Sequence, residues 1–479
     1  MKQEIYKKIK EGELKYGEYI SNILNNINKD INAFISLNKN INTEEIDSNI
    51  KNTKERDLEG LTFGIKDNIL VKGINATAGS KMLKEYIGVY DATVVKKIKE
   101  AGGVIIGKTN MDEFAMGSSN ETSYFGVVKN PNNLNKVPGG SSGGSVASVA
   151  ASMVDVALGS DTAGSIRQPA SFCGVVGFKP TYGAVSRFGL MSMCSSLDVI
   201  GPIANNVSDC EKVFNVIAGK DDYDSTSIDV LEEGKEWNIE DVKKLVVGIP
   251  KEYFVDGVDK EVKEEVNNFI EKLKSMGVKI KEISLPYSEY AIACYYIIMP
   301  AEVSSNLARY DNVRYGTKIS DLKELDIKNL RDLYFKTRGD GFGTEVKRRI
   351  LLGTYVLSSG YYDAYYKQAQ KVRTIAIKQF KELFEKYDVL LTPTSPITAF
   401  EIGSKTDDPV AMYLADICTV SINIAGVPAI SIPCGFDSNK LPIGMQLIGN
   451  HFDEKTLIQF AYTYEQNTSW HKNKPELEV

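Results

Sequence analysis

Histidine is nearly missing from this chain: His451 and His471 are the only two in 479 residues, and both lie close to the C-terminus. Any Ser–His–Asp or Cys–His mechanism must therefore use one of them, and a zinc site could draw on no more than two. The six cysteines (Cys173, Cys194, Cys210, Cys294, Cys418 and Cys434) are scattered and contain no CxxC pair. In a chain long enough for an ordinary core they read as reduced thiols, not as a disulfide frame. Cys173 sits near the candidate site described below, but its apolar setting, PASFCGVVGF, makes it structural. Long apolar runs are missing as well. The longest small-and-apolar stretch, Val146–Leu158, is interrupted by Ser148, Ser152 and Asp155 and is too short to span a bilayer. The opening MKQEIYKKIKEGELKYGEYI has no apolar core of the kind a signal peptide needs. Nor is there an excess of positive charge. The net charge of −6 argues against a surface that blankets nucleic-acid phosphates. These absences predict a cytoplasmic protein with no membrane contact.

Apolar residues at 43% and charged residues at 25% are close to the globular average, so the chain can bury one large core or two ordinary ones. Residues 1–58 are rich in Lys, Asn and Glu and read as a helical outer layer or partner-binding arm. From Leu61 to about Pro202 the composition turns to Gly, Ala, Ser and Thr. Short apolar runs (Phe63–Ile65, Val104–Ile106, Val154–Leu158) alternate there with amphipathic stretches such as Ala92–Ala101, which predicts an α/β layered domain. Residues 245–286 have the pattern of a β-α-β unit, with Val262, Val266, Phe269, Ile270 and Leu273 on one helical stripe. Residues 287–385 read as mainly helical, including Tyr361–Phe384. Strands are expected at Val389–Leu391, Ala429–Pro433 and Ile443–Ile448. No repeat or linker marks a boundary, so 59–479 reads as one domain with a lateral helical region at 287–385.

Two motif matches fail on context. Gly102 to Thr109 fits the phosphate-loop pattern, but Val104, Ile105 and Ile106 are strand formers and the preceding segment is helical. The order is helix–turn–strand, the reverse of what a phosphate cradle needs. Gly139 to Gly143 fits the GxSxG elbow, yet NPNNLNKVP upstream is a loop by composition where an elbow requires a buried strand.

Three segments remain: GIKDN around Lys66, VPGGSSGGS around Ser141, and GSDTAGSIRQP around Ser165. The two Gly-Ser segments lie between structured runs and carry Pro138, Asp161, Arg167 and Pro169, which solvent-facing linkers do not usually mix. Lys66 follows the apolar Phe63–Ile65, as a strand end pointing into a cleft would. Together these segments resemble the amidase signature family over roughly residues 60–202. The resemblance implies an α/β fold with an open mixed sheet surrounded by helices. It also implies a Ser–cis-Ser–Lys triad with Ser165 as nucleophile, Ser141 as the bridging serine and Lys66 as base. The backbone amides of Thr162, Ala163, Gly164 and Ser165 would form the oxyanion hole. Ala163 stands where the family usually has glycine, a departure that matters only if that position needs a positive φ.

Such a triad makes a physical demand. A lysine with a pKa near 10.4 is neutral only about once in a thousand at pH 7.4, so burial must lower it by roughly 2–3 units before it can serve as a base. No metal is needed.

Within the family, EVSSNLARYDNVRYG (302–316), the 343–374 segment and DDPVAMYLADI (407–417) are similar to the glutamine-hydrolysing subunits of tRNA-dependent amidotransferases. On the residues alone, Arg348 and Arg349 are helix charges and Asp416 a cap or salt-bridge partner. The resemblance makes Arg349 the site for the glutamine carboxylate and Asp416 that for its ammonium. It further implies a heterotrimer: ammonia passes to a B subunit that uses ATP and Mg and contacts most of the misacylated tRNA, while a C subunit braces the pair. This chain itself would carry no cofactor. A stand-alone amidase of small amides and a catalytically silent scaffold of the same fold are the alternative readings.

Overall fold

The computed structural model describes residues 8–52, 56–230, 239–254, 257–317 and 326–476. Its centre is an 11-stranded mixed sheet in the order β1-β3-β2-β4-β6-β5-β10-β11-β9-β7-β8. The strands are β1 (Phe34–Leu37), β2 (Thr62–Lys66), β3 (Val104–Thr109), β4 (Val156–Asp161), β5 (Val176–Lys179) and β6 (Val199–Ala204), followed by β7 (Val246–Pro250), β8 (Lys279–Ile283), β9 (Val389–Pro393), β10 (Ala429–Phe436) and β11 (Pro442–Ile448). β2 runs parallel to both β3 and β4. β7 runs parallel to β8 and β9, with the Lys260–Ser275 helix between β7 and β8 as the 245–286 pattern predicts.

The two-residue period of a strand sorts its side chains between the two faces. Phe63 and Ile65 of β2, Ile105 of β3, and Val156 and Leu158 of β4 enter one core, shared with Val94, Val95 and Ile98 of the Thr93–Glu100 helix. Val104, Ile106 and Ala157 point the other way, against Val146 and Val149 of the Gly143–Ala150 helix. A third cluster joins the helices Ala291–Asn306, Thr344–Val356 and Lys367–Phe384 to Phe114, Ala163 and Val420. The lateral helices thus pack directly on the turn that carries Ser165.

Two expectations need correction. Residues 1–58 are not helical throughout: Phe34–Leu37 forms β1, antiparallel to β3 with Phe34 opposite Thr109 and Leu37 opposite Gly107. Four residues are too few to show a strand period, and the pairing is made by a distant segment. The helix expected over Tyr361–Phe384 opens with a π-turn at Tyr362–Tyr366 before continuing as Lys367–Phe384.

Candidate active site

Lys66 closes β2, and β4 ends beside it at Ser160 and Asp161, so two parallel strand ends open onto one site. This is where ligands bind in open α/β sheets. Lys66 has no solvent exposure. Its Nζ lies 2.7 Å from Ser141 Oγ, 2.8 Å from Ser142 Oγ and 3.1 Å from the Ser160 carbonyl oxygen. Burial pushes its pKa down to about 7, against the opposing pull of Asp112, Asp161 and Asp198. An amine so placed can act as a base at neutral pH.

Ser141 follows a cis peptide bond at Gly140–Ser141, as the family resemblance implies. Ser142 is a further member of the site that the motif reading does not assign. Besides contacting Lys66, its Oγ donates to the Ser160 carbonyl at 3.1 Å. The adjacent serine pair in GGSSGG is the one signal the sequence offers for it.

The turn carrying Ser165 is built around Asp161. Its carboxylate accepts the Gly164 amide at 2.8 Å, the Ile166 amide at 3.1 Å and the Asn423 amide side chain at 2.9 Å. Arg167 binds both oxygens of Asp161 through Nε and Nη2, and its Nη1 donates to Gln446 Oε1 at 2.8 Å. Burial disfavours charge on Asp161, yet Arg167 beside it holds the pKa down at about 2. Gly164 adopts φ +141°, a conformation only glycine takes easily, whereas Ala163 is not among the residues with positive φ. The alanine departure therefore introduces no backbone strain. The Gly164 amide, expected among the oxyanion donors, is instead donated to Asp161.

Ser165 joins this assembly through its backbone, its carbonyl accepting the Ser142 amide at 3.1 Å. Among the described residues no hydrogen bond links Ser165 Oγ to Ser141 Oγ. The expected relay has its Lys66–Ser141 link made, at 2.7 Å, and its Ser141–Ser165 link open. Catalytic hydrogen bonds often tighten only around substrate.

Arg349 and Asp416 are both buried, at 3% and 6% exposure, whereas the Arg348 side chain is 40% exposed. Arg349 Nε donates to Glu345 Oε1 at 2.8 Å, and Tyr413 Oη donates to the same oxygen at 2.9 Å. Tyr296 and Tyr413 stack with centroids 4.0 Å apart, and the guanidinium carbon lies 5.6 and 5.7 Å from the two centroids. Asp416 Oδ2 accepts from Ser118 Oγ at 2.5 Å, while the buried Oδ1 has no partner among the described residues. Burial pushes the Asp416 carboxyl up to about 7. A cleft of about 290 Å³ lies over this region, lined by Ser118, Glu345, Arg349 and Tyr413 among others. Asp416 is tied to the serine turn through Thr419, whose amide donates to the Asp416 carbonyl and whose Oγ1 donates to the Ala163 carbonyl. Glu345, four residues before Arg349, could have been found from its helical spacing. Ser118 carried no local signal.

The rejected phosphate-loop match and the bystanders fall outside this chemistry. Lys108 lies within β3, fully buried, with Nζ 3.3 Å from Asp67 Oδ1. His451 Nε2 contacts the Ala425 carbonyl, and burial pushes the Cys173 thiol up. Among the described residues no group of three or more His, Cys, Asp or Glu side chains could hold a metal ion, and no helix is long and apolar enough to cross a membrane.

Comparison with known proteins gives the family. The family described as Amidase matches residues 18–458. The A subunit of glutamyl-tRNA(Gln) amidotransferase from Thermodesulfovibrio yellowstonii is 52% identical, covering 99% of this chain and 98% of that protein. The crystal structure of the corresponding glutamyl-tRNA(Gln) amidotransferase A subunit from Thermotoga maritima superposes with TM-score 0.81 at 40% identity, covering 100% of this chain and 96% of that one. A bacterial aryl acylamidase of the amidase signature family shares the fold at TM-score 0.82 and 20% identity, covering 100% of this chain and 98% of that one. The chain belongs to the amidase family.

Proposed function

We propose that this chain is the glutamine-hydrolysing subunit of a glutamyl-tRNA(Gln) amidotransferase, working through Ser165, Ser141 and Lys66. The observation that carries the substrate is a buried cation and a buried carboxylate at one cleft: Arg349 lines it, and Asp416 lies behind Ser118, which also lines it. Arg349 offers a carboxylate the N–H groups of a planar fork. Asp416 offers an ammonium its unpartnered Oδ1. An unmatched buried acceptor costs about 1–3 kcal/mol until something fills it, and the α-ammonium of glutamine would do so. A small aliphatic amide has neither group.

The proton path follows from a count of donors. A neutral lysine amine has two N–H groups and one lone pair. Ser142 Oγ, whose own hydrogen goes to the Ser160 carbonyl, can take one N–H, and the Ser160 carbonyl can take the other. The lone pair is then left for the Ser141 hydroxyl, 2.7 Å away. Substrate binding closes the remaining gap between Ser165 and Ser141. Ser165 Oγ attacks the carboxamide carbon while its proton passes to Ser141, whose own proton passes to Lys66. The oxyanion takes hydrogen bonds from the free amides of the 162–165 turn. As the tetrahedral adduct collapses, the proton returns through Ser141 to the departing nitrogen and ammonia leaves. The glutamyl ester on Ser165 is then cleaved by water activated through the same pair.

The names of the relatives support a place as the A component of a larger assembly. In that assembly B and C subunits complete a cytoplasmic heterotrimer, and the partner uses ATP and Mg and holds most of the misacylated tRNA. Mass spectrometry after incubation with glutamine tests the chemistry. A γ-glutamyl adduct on Ser165 is expected, lost in Ser165→Ala. An adduct on another residue, or acylation by small amides but not by glutamine, would refute this reading.

A further inference from the structure

Arg349 and Ser118, the residue that holds Asp416, line opposite walls of one cleft, and one buried residue, Glu113, is bonded towards both. Glu113 opens the short turn Glu113–Ala115 that follows β3 and is 4% exposed. Towards one wall its backbone does the holding. The Glu113 amide donates to Thr122 Oγ1 at 3.0 Å and its carbonyl accepts the Met116 amide at 2.9 Å. Its neighbour Asp112 accepts the Asn120 amide at 2.9 Å and Thr122 Oγ1 at 2.8 Å. These bonds shape residues 117–122, the loop from which Ser118 reaches Asp416.

Towards the other wall it uses the carboxylate. Oε1 accepts from Ser80 Oγ at 2.5 Å and Oε2 accepts the Gly343 amide at 2.8 Å. Gly343 is the residue at which the Thr344–Val356 helix starts, and no side chain of its own segment caps that start. The first amides of a helix need outside acceptors; here one comes from Glu113, 230 residues away in sequence. A Cβ at Gly343 would run into the Glu113 carboxylate, so glycine there permits the close approach. The helix so anchored carries Glu345 and Arg349 in its first two turns.

We propose that Glu113 is a positioning residue that fixes the separation between Arg349 and Asp416, and so sets how tightly the cleft holds an α-amino acid amide by its two charged ends. This rests on the reading of the cleft as the glutamine pocket. The bridge needs an acceptor for the Gly343 amide and a partner for Ser80, not a charge as such. A glutamine at 113 can meet both: its oxygen accepts from Gly343 while its NH2 donates to Ser80 Oγ, which turns its hydrogen towards the Gly341 carbonyl, 3.4 Å away.

The test is steady-state glutamine hydrolysis by the full chain with its partner subunits present, comparing Glu113→Ala and Glu113→Gln with wild type. Loss of two bonds to a carboxylate at a helix start predicts a KM for glutamine raised roughly tenfold or more in Glu113→Ala, with kcat within about threefold. The retained kcat shows that the variant is folded and its serines intact. Glu113→Gln should keep KM within about threefold of wild type. A Glu113→Ala KM close to wild type, a defect carried in kcat, or a Glu113→Gln as impaired as Glu113→Ala would overturn the proposal. Failure of the wild-type assembly to hydrolyse glutamine would instead refute the glutaminase reading itself.

Discussion

The Ser142 amide donates to the Ser165 carbonyl at 3.1 Å, so the loop bearing Ser141 and the turn bearing Ser165 form one hydrogen-bonded unit. Lys66 meets this unit from the end of β2.

Two groups near pH 7 should shape the pH profile in the same direction. Lys66, pushed down to about 7 by burial, is an effective base only once it loses its proton. Asp416, pushed up to about 7 by burial, attracts an ammonium only once it loses its own. Both steps favour activity as pH rises. In free enzyme both count, so log kcat/KM should fall below pH 7 with a slope approaching two. Bound glutamine keeps Asp416 ionised, so log kcat should fall with a slope near one. A kcat flat from pH 6 to 8 would remove Lys66 as the base.

Ser142→Ala should slow glutaminase turnover by roughly tenfold, the scale of one neutral hydrogen bond. Ser141→Ala should cost roughly 10²–10⁴-fold, as expected for loss of a proton relay. Single-turnover rates of Ser165 acylation measure both. Equal losses would mean that Ser142 does more than hold the amine in place.

Asp161→Asn should destabilise the fold by about 3–5 kcal/mol, since it leaves the Arg167 guanidinium buried without its counter-charge. Denaturant titration of wild type and variant gives the difference. A loss below about 1 kcal/mol would show that Asn423 and Gln446 suffice for Arg167.

Ala163→Gly, which restores the residue usual in the family, should leave kcat/KM within about twofold. Ala163 does not have a positive φ, and its amide is present either way. A large gain in activity would show that the methyl group, in the same buried cluster as Val420, displaces the oxyanion donors.

Much of this was legible in the sequence, for reasons that differ from one element to another. Lys66 could be placed at a strand end because Phe63–Ile65 is apolar and the polar Asp67 and Asn68 follow at once. The β-α-β unit at 245–286 showed both of its periods. The false phosphate loop gave itself away through three strand formers in a row, now found in β3. Arg349 and Asp416 required the family resemblance, since a lone Arg or Asp has no pattern of its own. Contacts made across the fold stayed hidden: β1 against β3, Ser118 against Asp416, and the Gly164 amide against Asp161. In each case the partner, not the local sequence, decides the outcome.

The pairing of β1 with β3 has a consequence for how this protein can be trimmed. The Gly107–Thr109 backbone, on the strand next to the one that ends in Lys66, has β1 as its outer neighbour. A version shortened to begin at residue 59 would strip that neighbour away and leave a bare ladder of donors and acceptors, the kind of rim on which other chains stack. The short β1 is therefore a selvage, a four-residue border that keeps the longer β3 off the rim of the sheet.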